Sequence, residues 1–425
     1  MGAPPRAGPS RGTLRAALWR LCRLVALGPW LALPAAPGHA APDDPTVILI
    51  SLDGTHPADL DATELPALAR MARHGARAER MVPEFPTNTF PNHVTLVTGV
   101  SPERHGIVNN VFVDPERGEY RYAADPTWLE AEPLWSIVEG HGVLTAAFHW
   151  VGSEGPWRSG RAPRYWRPFS ADTPESEKVD AILGWLALPA ARRPRLVTAW
   201  FHGADHAAHR HGPRSGPVLA ALREQDAELG RLLSALDAAR AWDRTTLIVV
   251  SDHGMAPVER TVDLASALAG AGVEARVHGG GGFVTVTLER PAADRERALS
   301  IARELGLEAW ARGQGPAGLE ARHARFGELV VVAPPGTAIS SRGLLGRLRA
   351  AFTGGGHGHR PGEPSMSAIF LALGRGVAAG ARPDGVRARD VAPTVLTLLG
   401  LPVPDGMEGR AIALSVRPVQ EETSK

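Results

Sequence analysis

The sequence predicts an α/β sandwich, a central and mostly parallel sheet covered by helices, with a small α/β insertion subdomain. Three observations lead there. The runs 46–51, 195–201 and 246–251 are almost wholly apolar and have the length of strands buried on both faces. Stretches with helical apolar spacing, 64–75, 133–141, 177–188 and 218–240, lie between them. Such alternation is the pattern of parallel strands joined by crossover helices, and 425 residues at 44% hydrophobic content suffice for a large core.

Taken in order, the chain opens with Arg6, Arg11, Arg15, Arg20 and Arg23 and no acid, followed by an apolar stretch and Gly38-His39-Ala40. This reads as a signal peptide, 1–40, whose apolar part is too short to span a bilayer. Without those five arginines the formal net charge passes from +1 to about −4, which argues against a polyanion-binding surface and hence a nucleic-acid polymer as partner. The single cysteine, Cys22, lies in the same segment, so the mature chain has neither a disulfide nor a thiol nucleophile. A periplasmic or secreted protein without a membrane span fits best. The catalytic core is expected at 41–256 and 351–416. Within 257–350 the alternating run 283–288, the helical stretch 294–305 and the run 328–332 indicate an inserted, cap-like subdomain. The last residues, 417–425, are a polar tail.

Each apolar run leads into an aspartate: Asp53, Asp205 and Asp252. In open α/β sheets ligands bind at the carboxyl ends of the strands. One aspartate there is an ordinary turn residue; three, two of them beside histidines, suit a divalent metal. Asp205 and His209 stand four residues apart, so one helical turn presents both to one ion. Asp252 and His253 are adjacent, and the glycine-rich stretch 354–359 offers His357 or His359.

The stretch Phe85 to Gly99, FPTNTFPNHVTLVTG, reads first as a helix start with Thr89 as N-cap and Pro91 in the first turn. Together with Asp53-Gly54, Pro102-Glu-Arg-His-Gly, Asn110, Asp205-x-x-x-His209, Ser251-Asp-His-Gly-Met255 and His357-Gly358, it resembles the nucleotide pyrophosphatase/phosphodiesterase branch of the alkaline phosphatase superfamily. The matches keep their chain order from Thr46 to about Arg410. The resemblance implies an alkaline-phosphatase-like core, Thr89 as nucleophile and Asn110 as the phosphate-binding amide. It implies two zinc ions, with manganese or iron tolerated in one site: Asp205, His209 and His357 for one, Asp53, Thr89, Asp252 and His253 for the other. Phe90, Tyr165 and Trp200 resemble the aromatic lining of the leaving-group pocket. The chain departs from the family at Ala204, where a proline is usual, and at His359-Arg360, where an aromatic and an aspartate are usual.

The expected activity is hydrolysis of a small-molecule phosphodiester or nucleotide through a covalent phosphothreonine. A phosphomonoesterase on the same fold is the main rival, a non-catalytic metal-binding protein a remote one. A sulfatase is disfavoured, because the mature chain has no cysteine to form its nucleophile. The natural substrate and the oligomeric state are not readable from these residues.

Overall fold

Seven strands form the central sheet, in the order Ala76–Arg77, Phe370–Gly374, Thr245–Val250, Thr46–Leu52, Leu196–Phe201, Thr145–Phe148, Tyr165–Arg167. The computed structural model describes residues 44–341 and 354–415. The expected signal peptide 1–40 and tail 417–425 fall outside them. The strand Thr46–Leu52 runs parallel to both neighbours, as do the strands beyond Leu196–Phe201, whereas Phe370–Gly374 is antiparallel. The three apolar runs are thus the three central strands, and every one of their residues is buried.

Period-two alternation divides the core into two layers. Ile48, Ile50 and Leu52 point to the layer packed by the helices Pro66–His74, Glu175–Leu186 and Gly216–Ala238. Val47 and Leu49 point to the layer packed by Thr89–Thr98, Leu134–Gly140 and Val391–Leu399. Asp226, buried on the long helix, accepts hydrogen bonds from the Ala67 and Leu68 N–H groups at 3.0 and 2.8 Å, so one helix caps the start of another.

Beyond the third central strand, 256–340 together with Gly355–Gly356 builds two smaller sheets. Ala256–Asp263 pairs with Gly336–Ser340 and with Gly355–Gly356. Ala275–Gly280, Phe283–Leu288, Leu329–Val332 and Glu308–Ala311 form an antiparallel sheet covered by the helices Leu264–Gly270 and Pro291–Glu304. Arg325 fastens this part to the core. Only 3% exposed, it donates through Nε to Asp114 Oδ2 at 2.7 Å and through Nη1 to the carbonyls of Gly106 and Trp128 at 2.8 and 3.1 Å. Its Nη2 lies 2.9 Å from Glu130 Oε1.

Candidate active site

The carboxyl ends of the central strands carry the acids. Asp53 follows the first strand directly, and Asp252 follows Thr245–Val250 after one residue. Asp205 arrives differently, on the first turn of the helix Gly203–His211 that follows Leu196–Phe201. Gly54 lets it approach: the backbone there is left-handed, φ 66°, and a Cβ would stand 3.1 Å from the Asp205 side chain.

His253 is the hub of the site. Its Nε2 lies 3.0 Å from Asp252 Oδ2, 3.6 Å from Asp53 Oδ1 and 3.2 Å from Thr89 Oγ1. Its ring stacks on that of His357, with centroids 3.8 Å apart. Two groups of donor atoms lie within 4.8 Å of one another, Asp205/His253/His357 and Asp53/Asp252/His253. Proximity alone therefore gives His253 to both. His209 stands at the edge of the first group, with Nε2 3.5 Å from Asp205 Oδ1 and its ring 5.0 Å from His357. His359, the alternative to His357, turns away and places Nδ1 2.8 Å from the Ala333 carbonyl.

The electrostatics of this cluster are those of a cation site. Asp53 Oδ1 and Asp205 Oδ1 are buried without a hydrogen-bond partner, and Asp252 Oδ2 is met by the imidazole nitrogens His253 Nε2 at 3.0 Å and His93 Nδ1 at 3.4 Å. Burial first, then the Asp252 and Asp205 carboxylates, push the Asp53 carboxyl well above its ordinary range. Burial also works upward on Asp252, but the His253 and His93 imidazoles prevail and hold its carboxyl well below that range. Burial, reinforced by His253 and His209, keeps His357 neutral, the form in which imidazole binds metals. Mixed carboxylate and imidazole donors suit zinc better than magnesium.

Thr89 is the first residue of the helix Thr89–Thr98, and Asn88, not Thr89, is the N-cap. The reading of Thr89 as a cap is therefore corrected: Asn88 has the extended backbone of an N-cap and Thr89 is already helical. The Thr89 hydroxyl sits at the positive end of the helix with its Oγ1 directed at the His253 hub. Asn110 Oδ1 accepts the Phe90 N–H at 2.9 Å. Because a backbone N–H can only donate, the oxygen is the atom engaged, and the amide Nδ2 is left for the cavity that Asn110 lines.

That cavity, about 690 Å³, adjoins Asp53, Thr89, Asp205, His209 and His357. Phe90, Tyr122, Phe169 and Trp200 supply its aromatic surface, Phe169 stacked on Trp200 with centroids 4.9 Å apart and Tyr122 edge-on to Phe90 at 5.2 Å. Trp200 also donates through Nε1 to Asp53 Oδ2 at 2.8 Å, so one side chain both lines the cavity and holds a candidate ligand. Tyr165 does not line it. This residue stacks on Trp185 instead, and its hydroxyl donates to the Arg192 carbonyl at 2.9 Å. The correction has a simple cause: Tyr165 belongs to the edge strand, while the loop after that strand turns Phe169 inward.

Further residues support the site without a motif to announce them. His93 Nδ1 lies 3.0 Å from the Thr89 carbonyl and 3.4 Å from Asp252 Oδ2, joining the Thr89 backbone to an acid. Asn88 Oδ1 lies 3.1 Å from His357 Nδ1, which aims the other ring nitrogen at the cluster. Thr87 accepts from the Gly358 N–H at 3.1 Å and donates to the His359 carbonyl at 2.8 Å. Helical spacing from Thr89 to His93 could have signalled the first of these; the others are contacts across the chain.

A model of the family described as type I phosphodiesterase/nucleotide pyrophosphatase matches residues 47–360. A pyrophosphatase/phosphodiesterase of Schizosaccharomyces pombe, itself uncharacterized, is 39% identical over 219 residues, 50% of this chain and 45% of that protein. Human ectonucleotide pyrophosphatase/phosphodiesterase family member 1 is 33% identical over 220 residues, 50% of this chain and 24% of the relative. The matched stretch thus spans less than half the length of either relative. Among solved structures, murine ectonucleotide pyrophosphatase/phosphodiesterase 5, in an inactive threonine-to-alanine form in complex with AMP, has a TM-score of 0.78 at 23% identity, covering 85% of this chain and 96% of that one. The human counterpart has a TM-score of 0.77 at 24% identity, covering 84% and 96%. The likeness establishes an alkaline-phosphatase-like fold.

Proposed function

The chain belongs to the type I phosphodiesterase/nucleotide pyrophosphatase family, and from that premise we propose that it is a metal-dependent phosphodiesterase that uses Thr89 as nucleophile in a two-step displacement. The observation that carries the reading is the convergence of three carboxylates on His253, two of them with a buried oxygen that has no hydrogen-bond partner, with Thr89 Oγ1 3.2 Å from the same imidazole. Carboxylates this close repel one another unless protonated or neutralised by a cation. Asp205, His209 and His357 would hold one ion, and Asp53, Thr89, Asp252 and His253 the other. Two divalent ions bound there, zinc by preference with manganese or iron tolerated in one site, supply the positive charge that makes the threonine alkoxide accessible and offsets the charge on phosphate oxygens.

The residues themselves do the rest. Thr89 Oγ1, its proton released to solvent, forms a bond to phosphorus while the bond to the leaving oxygen breaks and its electron pair departs with that group, which takes up a proton from water. Asn110 Nδ2 donates to a non-bridging oxygen, and the helix N-terminus adds its positive end. Water then cleaves the phosphothreonine and restores the hydroxyl. The flat aromatic surface of Phe90, Phe169 and Trp200 suits a planar substituent on the retained phosphate, and the AMP bound by the murine relative supports a nucleotide there. The arginine-rich, apolar start of the chain supports a periplasmic or secreted location. Among the described residues no helix is long and apolar enough to cross a membrane.

A diester is preferred over a monoester because the stretch around the nucleophile, 81–102, contains no lysine or arginine, and the arginine that lines the cavity, Arg121, already has its charge met by Glu119 at 2.6 Å. Side-by-side kinetics should show a nucleotide 5′-monophosphate aryl ester cleaved with kcat/KM at least about 10²-fold above the matching aryl monophosphate, about 2.7 kcal/mol of transition-state preference. A ratio reversed in favour of the monoester would reassign the protein as a phosphatase. Elemental analysis should find close to two zinc ions, and full activity after metal removal would end the mechanism.

A further inference from the structure

A buried ion pair lies directly behind the helix that carries Asp205 and His209. Glu175 and Lys178 stand one turn apart at the start of the helix Glu175–Leu186, and the Lys178 side chain is wholly enclosed. Lys178 Nζ is 2.5 Å from Glu175 Oε2. The other carboxylate oxygen, Oε1, accepts the Gly203 N–H at 3.2 Å and the Gln225 side-chain amide at 3.0 Å. Gly203 opens the helix Gly203–His211, and a Cβ at this position would stand 3.0 Å from Glu175 Oε1. The N-terminus of the candidate metal-binding helix is therefore held on one side by Glu175, while Gly54 receives Asp205 on the other.

The ammonium extends the network. Nζ lies 3.3 Å from His202 Nδ1 and 5.0 Å from the centroid of the Phe201 ring. His202 Nε2 stands 3.3 Å from the Ala171 carbonyl, so Nε2 carries the proton and Nδ1 is the acceptor for Lys178. Ala171 follows Phe169 by two residues, and both line the cavity. One lysine thus joins the residue before the helix to the loop that bears an aromatic wall.

Enclosing such a pair carries a desolvation cost, and well-packed apolar residues often replace one without loss of stability. A helix start needs only a serine or aspartate cap. Stability alone therefore accounts poorly for the pair, whereas its contacts, besides those with Gln225 and the Phe201 ring, reach Gly203 and His202 and, through His202, Ala171. We infer that Glu175 and Lys178 are positioning residues: they fix the start of the 203–211 helix so that Asp205 and His209 meet their cation. The inference rests on the proposed reading that these two residues and His357 hold a divalent ion.

The test is zinc affinity, measured by competition with a chromophoric chelator, beside denaturant unfolding of each protein. Glu175→Gln should weaken one of two bound zinc ions by about 10- to 100-fold and leave the other within about threefold. Glu175→Met/Lys178→Met, which leaves no buried charge unpaired and no acceptor for the Gly203 N–H, should unfold close to the wild type yet show the same one-site loss; it decides the matter if the single variant does not fold. Unchanged affinity at both sites in the double variant, or an equal fall at both, overturns the inference while the metal reading stands. A wild-type chain that binds no zinc overturns both.

Discussion

Asn110 gives the sharpest separation between holding the fold and stabilising a transition state, because its two amide atoms face different partners. Oδ1 accepts the Phe90 N–H at 2.9 Å, one residue beyond Thr89, the proposed nucleophile, and Nδ2 is left to the cavity. Asn110→Asp keeps an oxygen for Phe90 but replaces the donor by a second oxygen, with electron pairs where the proposed mechanism seats a phosphate oxygen. Losing one such donor costs about 2.7–4 kcal/mol, or roughly 10²–10³ in kcat, and the added repulsion makes the aspartate the worse of the two variants. Asn110→Ala loses the donor as well, and strands the Phe90 N–H at a cost of about 1 kcal/mol in stability. The assay is kcat and KM on a nucleotide aryl ester together with urea unfolding of both variants. Activity of Asn110→Asp within about threefold of wild type would refute the reasoning and leave Asn110 as a fastening for the helix start.

Thr89→Ala should abolish turnover by several orders of magnitude while zinc content stays close to two, since the acids and imidazoles remain; equal activity would reduce the motif to a helix start. Phe169→Ala should raise KM for a nucleotide ester by about tenfold through lost stacking, and Tyr165→Ala should leave kcat/KM unchanged, a contrast that steady-state kinetics settles. His105, enclosed and bonded to Thr95 and the Ile107 N–H, has its pKa lowered by burial from 6.5 to about 3. A base whose folded pKa is depressed is protonated first in the unfolded chain, so its contribution is complete above about pH 6.5 and falls by about 1.4 kcal/mol per pH unit as pH drops toward 3. Urea unfolding at pH 7 and pH 5 should therefore show a stability difference about 2 kcal/mol smaller in His105→Asn than in wild type; an undiminished difference would exclude His105 as its source.

The central strands and two of the three acids were legible because a strand buried on both faces writes itself as an unbroken apolar run, and the chain can turn polar only where that strand ends. Asp205 and His209 were legible as a pair through helical spacing. The aromatic wall was not. Tyr165, Trp166 and Phe169 lie within five residues, and no local pattern says which ring an edge strand and its following loop turn inward. His357 and His359 are equally ambiguous in sequence, and what separates them is remote: the Ala333 carbonyl takes one and Asn88 the other. The Glu175–Lys178 pair was hidden for the same reason, since an acid and a base three apart on a helix ordinarily mark a solvated face.

The Arg325 anchorage has a consequence for how the molecule withstands its surroundings. The whole chain has one cysteine, so no covalent bridge within the chain can tie the 256–340 region to the core. A guanidinium shared among two carboxylates and two carbonyls takes that role, and it is indifferent to thiols and oxidants. The far wall of the cavity is consequently welded by charge: an environment rich in reductant leaves it intact, whereas acid strong enough to protonate Asp114, whose carboxyl burial pushes up but the Arg117 N–H, Arg325 and the Glu116 N–H hold below its ordinary range, would loosen it.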